Sequence, residues 1–223
     1  MPAPAASLTA LFAMPFAATP LAGVDALNEE LAKLLAARAT EERRDPAAPR
    51  DALCFRSRED LFEWPDAPVA SLRREMLAAL RAAVRATTLH SDEEFSRLTI
   101  EARARFVLVR PNGCLPATSL PLASWCAVYC VAAPEPAAAR RDSAALRLYE
   151  ARMGTMFMDA SNYRLREPFA GGHHMWRPGP GLLAAFPASL LHEIALNRGD
   201  CDLVLVIARA RFGTAGQEAV PAW

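Results

Sequence analysis

The residues with the most chemical potential gather in the C-terminal third of the chain. His173 and His174 are adjacent, and His192 is followed by Glu193. Two imidazoles and a carboxylate suit a transition metal that keeps open positions. His174 with His192, completed by Asp159 or Glu193, is one such set. Neighbouring residues of a strand face opposite ways, so only one of His173 and His174 can join it. The plainer alternative makes both of them loop or edge residues beside Gly171-Gly172. Cys126 and Cys130 would share one face of a strand, with Trp125, Ala127, Tyr129 and Val131 on the other. Two inward thiols can bind a soft metal, but buried cysteine is the commoner outcome. Ser189 close to His192 suggests a Ser-His pair, yet no nucleophile-elbow glycine pattern surrounds it.

The five cysteines form no Cys-x-x-Cys pair, which argues against a disulfide framework and a zinc knuckle. Lys plus Arg (25) equals Asp plus Glu (25), so the formal net charge is zero. A neutral chain lacks the field that nucleic-acid or anionic-membrane binding draws on. No stretch approaches the roughly 20 uninterrupted apolar residues of a membrane span. Met1 to Pro20 is apolar but has no positively charged n-region, since Lys33 is the first basic residue. The expectation is a cytoplasmic protein with neither nucleic-acid nor membrane partners. At 223 residues and 52% hydrophobic, the chain can bury a substantial core as one domain.

These residues must be positioned by elements that change character along the chain. Leu8 to Leu21 reads as extended, because Pro15 and Pro20 exclude a continuous helix. Asp25 is a candidate N-cap for a helix carrying Leu27, Leu31, Leu34 and Leu35 on one stripe. Val69, Leu72, Met76, Leu80 and Val84 mark a second helix, with Pro68 in its first turn and Arg73, Arg74, Arg81 and Arg85 outside. Those arginines could suggest a phosphate-binding surface; a solvated face is the simpler reading. Ser91 with Glu94 makes a capping box for a third, short helix. From Arg105 onward the period becomes that of strands: 106–109, 124–131, 146–149, 172–176, 181–186 and 203–207, with a turn at Pro111-Asn112-Gly113. Short strands separated by turns point to a sandwich or barrel.

The order of several segments resembles a bacterial branch of the 2-oxoglutarate/Fe(II) oxygenase superfamily. Leu11-Phe12 followed by Pro15 resembles its opening, and Trp125-Cys126-Ala127-Val128-Tyr129-Cys130-Val131 its Trp-Ser-Gly-Val-Tyr-Tyr-Val strand. Glu150-Ala151-Arg152 resembles an Asp-Pro-Arg element. The most specific piece is Gly181 to His192, similar to a Gly-x-Leu-x-x-Phe-Pro-Ser-x-x-x-His run. The resemblance implies a double-stranded β-helix, or jelly roll, α+β and mainly β, with the helices packed on one outer face. It implies one domain over 1–223: a mainly helical support region (1–104), the β-helix core (105–212) and a tail (213–223).

The resemblance also implies an iron site of two histidines and a carboxylate, or three histidines, and a basic residue on the last strand for 2-oxoglutarate. His192 matches the distal ligand. The first two ligands fall near Thr118 and Leu120, and no His, Asp or Glu occurs between Gly113 and Ala133. The basic position falls near Asp202, with Arg209 or Arg211 available only if the strand is shifted. The expectation is therefore an oxygenase-like binding or scaffolding module with an eroded site and no cofactor. Its partner would be a small molecule or a protein. The mouth would be lined by Thr118, Leu120, Trp125, Tyr129 and Arg209. The alternative is an active non-haem metal oxygenase, with Fe(II) and 2-oxoglutarate, using His192, His174 and a non-standard ligand set.

Overall fold

The computed structural model describes residues 13–135, 140, 142–150 and 172–214. Ten strands form two facing sheets, and every named strand pair is antiparallel. The larger has the order β1-β8-β5-β10-β3-β2: β1 (Ala17–Pro20), β8 (Leu182–Pro187), β5 (Trp125–Ala132), β10 (Leu203–Thr214), β3 (Leu98–Val109) and β2 (Cys54–Arg56). The smaller has the order β4-β9-β6-β7: β4 (Leu115–Thr118), β9 (Leu191–Ile194), β6 (Leu146–Tyr149) and β7 (His173–Trp176). This is a jelly roll. Helices α1 (Asp25–Ala37) and α2 (Ala67–Thr87) cover the outer face of the larger sheet, α1 against β5 and α2 against β5 and β8.

Two cores follow from this layering. Leu31 and Leu35 of α1 and Leu72, Met76 and Leu80 of α2 pack on Phe106, Ala127, Tyr129 and Val206. Between the sheets lie Val107, Val109, Cys126, Val128, Cys130, Leu148, Phe186, Leu203 and Leu205. The larger sheet is thus buried on both faces, which explains why β5 reads as an unbroken apolar run. Each large apolar side chain so buried contributes about 1.5–3 kcal/mol. Gly181 joins β8 to its turn at a φ of +81°, where only glycine is at ease. Gly113 ends the β3 turn so close to the Leu53 carbonyl oxygen that a Cβ would stand 2.4 Å from it.

Several boundaries differ from the pattern-based ones. β3 begins at Leu98, not at Arg105, because Glu101, Arg103 and Arg105 alternate with Ala102 and Ala104 and pair along the whole of β10. β10 likewise continues to Thr214, past Ile207. The residues before 105 therefore contribute β1, β2 and half of β3 as well as helices. Cys54–Arg56, Leu115–Thr118 and Leu191–Ile194 are strands too short to show a period. Asp25 is the first residue of α1 and Val24 its cap, with no side-chain cap bond. α3 (Asp92–Ser96) does carry the Ser91–Glu94 capping box. Of the residues singled out from sequence, Leu11-Phe12, Ala151-Arg152, Asp159 and Gly171 lie outside the described residues.

One polar contact crosses the helix–sheet core. The buried Tyr129 hydroxyl donates to Asn28 Oδ1 at 2.7 Å, and Asn28 is itself 7% exposed. Burial pushes the phenol up to about 12, with the Asn28 contact opposing that rise. Tyr129→Phe leaves a buried carbonyl oxygen without its donor, so urea titration should show about 1–3 kcal/mol lower stability. Adding Asn28→Leu should recover part of the loss, because the unsatisfied group is then removed.

Candidate functional site

His192 sits on β9, and its register places it directly opposite Thr118 of β4 and Leu148 of β6. Leu148 in turn pairs with His174 of β7. Directly paired residues share a face, so Thr118, His192, Leu148 and His174 form one row across the smaller sheet. On the larger sheet, Arg209 pairs with both Arg103 and Cys126, and Cys126 with Phe186. Arg103, Arg209, Cys126 and Phe186 are therefore a second row. The rows meet where the Phe186 ring stands edge-on to the His192 ring, centroids 5.2 Å apart.

His192 is 5% exposed. Its Nδ1 lies 2.8 Å from the Leu190 carbonyl oxygen, which accepts from it. Nδ1 carries the proton, so Nε2 keeps its lone pair. Burial holds the His192 pKa below the ordinary value, against a smaller upward pull from Leu190. The space beside it is aromatic. Phe16 stacks on Phe186 at 6.2 Å and meets the His174 ring at a tilt, centroids 4.8 Å apart. His173 and His174 are exposed, on the edge strand.

The sequence-derived set is only partly brought together. Thr118 faces His192 in register but is exposed. Leu120 is half-buried against the inter-sheet core. Trp125 and Tyr129 belong to the helix-side core and do not line the mouth, because β5 alternates and turns Cys126, Val128 and Cys130 inward instead. Glu193 is on the opposite face of β9 from His192 and pairs with Arg147 at 2.9 Å, which removes it from a shared ligand set. Ser189 is exposed in the β8–β9 turn, and His192 bonds to Leu190 rather than to it. Burial pushes the Cys130 thiol up to about 12 and the Cys126 thiol higher still, so neither is a thiolate near neutral pH.

Charge enters this level from one side. On β10, Leu203, Leu205 and Ile207 face the inter-sheet core, so Arg209 and Arg211 continue that face. The Glu59 carboxylate, from the loop after β2, bonds to Arg105 and to Arg209 at once. Arg105 also meets Asp45 at 2.9 Å, and Asp45 meets Arg56 at 3.1 Å. Glu59, Asp45, Arg105 and Arg209 have side chains only 15–18% exposed. Burial lowers the Arg209 pKa, and the Glu59 carboxylate opposes this. Asp202 precedes β10 at the end remote from His192, where the inward residues are the fully buried Leu203 and Leu205. Glu59, Asp45 and Phe16 were not apparent from sequence; the alternation of Arg103 and Arg105 with Ala102 and Ala104, which the reading of this strand as 106–109 passed over, is the signal that points to a charged inner face.

These residues fit iron and 2-oxoglutarate poorly. The row through His192 offers Thr118 and Leu148 as its neighbours, and among the described residues the inward positions at the deep end are the apolar Leu203 and Leu205. Among the described residues, no group of three His, Cys, Asp or Glu side chains could hold a metal ion.

The fold is the double-stranded β-helix seen in 2-oxoglutarate/Fe(II) oxygenases. A Pseudomonas putida prolyl-4-hydroxylase superposes with a TM-score of 0.55 at 16% identity, over 88% of this chain and 91% of that one. HygX from Streptomyces hygroscopicus, solved with nickel and 2-oxoglutarate bound, gives 0.53 at 14% identity, over 92% and 84%. The non-haem α-ketoglutarate-dependent epimerase SnoN from nogalamycin biosynthesis gives 0.57 at 11%, over 93% and 88%. At these identities the likeness is one of fold, and at that level the resemblance to this family holds. No family model and no curated protein matches the sequence.

Two outcomes are expected. Glu59→Gln leaves two arginines without their shared carboxylate and should cost about 2–4 kcal/mol in denaturant titration. For His192, the folded-state pKa is depressed, so below the unfolded value the unfolded chain binds more protons and stability falls as pH falls. Thermal unfolding between pH 7 and pH 5 should therefore show a loss that is smaller in His192→Leu.

Proposed function

We propose that this chain is an oxygenase-fold protein that works by binding, its iron and cosubstrate positions having been given over to packing and internal ion pairs. The observation that carries this reading is the register of His192 with Thr118, one of the two positions where the resemblance calls for a further ligand, and with the apolar Leu148 on its other side. Glu59 supports it, because it gives Arg105 and Arg209 an internal carboxylate partner. Phe16 and Phe186 support it too, because they make the space at His192 apolar. On this reading the described mouth takes an apolar group, from a small molecule or a protein partner, rather than a dicarboxylate. The chain acts as one cytoplasmic domain and needs neither Fe(II) nor 2-oxoglutarate.

One observation favours a second reading. With Nδ1 donating to Leu190, His192 presents its Nε2 lone pair, the form in which a histidine binds metal. An active metal oxygenase would then use His192 with ligands of a non-standard set. Metal analysis of anaerobically prepared protein, beside an assay of uncoupled 2-oxoglutarate turnover, separates the two. The binding reading expects iron well below one equivalent and no turnover. Near-equimolar iron that is lost in His192→Ala would establish the second reading in its place.

A further inference from the structure

A groove of about 520 Å³ lies on the outer face of the protein, away from the barrel mouth, between α2 and the 3₁₀ turn Leu61–Glu63. Its wall on α2 is one helical face: Ala70, Arg73, Arg74, Leu77, Ala78 and Arg81. Its floor includes Phe62 and Trp64. The size falls within the range of small-molecule sites.

Two features set it apart from a solvated helix face. The first is rigidity of the floor. Trp64 is 7% exposed, has its ring edge against Phe106, and carries the guanidinium groups of Arg38 and Arg43 over its faces at 4.7 and 4.6 Å. Those two arginines are answered by Asp66 and Asp60. The second is charge. Among the described residues, the groove arginines Arg73 and Arg81 bond to main-chain carbonyls, of Phe62 and Leu98, and not to carboxylates. Arg74 has an exposed pairing with Glu75. The groove therefore combines an apolar floor with two arginines, Arg73 and Arg81, that no acid of the described residues neutralises. Arg73 and Arg81 are about 12 Å apart along the helix axis, at 1.5 Å per residue.

We propose that this groove binds a small amphipathic anion, with an elongated apolar body against Phe62, Trp64 and Leu77. Its carboxylate, sulfonate or phosphate would be met by Arg73 or Arg81. The chemistry follows from complementarity: a cation would be repelled, and a small polar anion would leave the floor uncovered. This inference goes beyond the barrel and does not depend on whether iron binds there.

The test is titration of the full chain with dodecanoate by calorimetry, with anilinonaphthalene sulfonate fluorescence as an optical readout and dodecyltrimethylammonium as the charge-reversed probe. Dodecanoate should bind at least about tenfold more tightly than the cation, and less tightly as salt rises. Arg73→Glu with Arg81→Glu should weaken dodecanoate binding about tenfold or more. Ala78→Trp, at an exposed helix position, should block the groove without lowering the thermal midpoint. Equal binding of both probes, or dodecanoate binding unchanged in both variants, would overturn the proposal. So would a concentration-dependent dimer in sedimentation that Ala78→Trp disrupts, since the groove would then serve a second copy of the chain.

Discussion

The larger sheet is buried on both faces, so its strands deliver alternate side chains to different cores. Tyr129 goes to the helices, where its hydroxyl meets Asn28, while Cys126, Val128 and Cys130 go between the sheets. A slip of one residue would exchange the two sets, placing Phe106 and Tyr129 inside the barrel. This constraint decides what chemistry the barrel can hold. The inward residues of β3, β5 and β10 nearest the deep end are Val107, Val109, Val128, Cys130, Leu203 and Leu205, all apolar or neutral. Polar groups reach the interior from the opposite end of the same strands.

At that end the inward positions of β3 and β10 include Arg103, Arg105, Arg209 and Arg211, with Glu101 in register with Arg211. Four guanidinium groups on neighbouring strands repel one another, and burial penalises each charge further. Glu59 offsets this by bonding to Arg105 and Arg209 together, and Asp45 does so by joining Arg105 to Arg56. The loop after β2 is thus held to the last strand by charge as well as by packing. In the family the chain resembles, a cosubstrate carboxylate meets a basic side chain on the last strand. Here a carboxylate from within the chain meets Arg209.

Much of this fold was legible in the residues. The stripes of α1 and α2, the capping box at Ser91 and the strand at 181–186 each follow from a local rule, and the structure contains them. The site was less legible, for two physical reasons. The inward face of a strand buried on both sides cannot be told from hydrophobicity, which is why Trp125 and Tyr129 were expected in the mouth. The partners of His192 come from strands of four residues, whose register is set by neighbours rather than by their own pattern. Glu59 lies in a charged loop whose composition gives no hint that it reaches the far strand.

The row through His192 also bears on what holds the two sheets together at this level. A metal site gathers charged and polar ligands that require a metal or solvent to be satisfied. At this level the chain instead has Leu148, Phe186 and Phe16 in contact, so apolar burial takes over the cohesion that ligands would give. The buried imidazole among them, His192, is neutral because burial depresses its pKa, and its Nδ1 proton has the Leu190 carbonyl as acceptor. Along α2, by contrast, Arg73 and Arg81 face an apolar surface and, among the described residues, bond to main-chain carbonyls and not to carboxylates. Jelly roll and helix layer meet at Phe62, Trp64 and Phe106, so the groove floor is anchored by the larger sheet, whose other face sets Phe186 against His192.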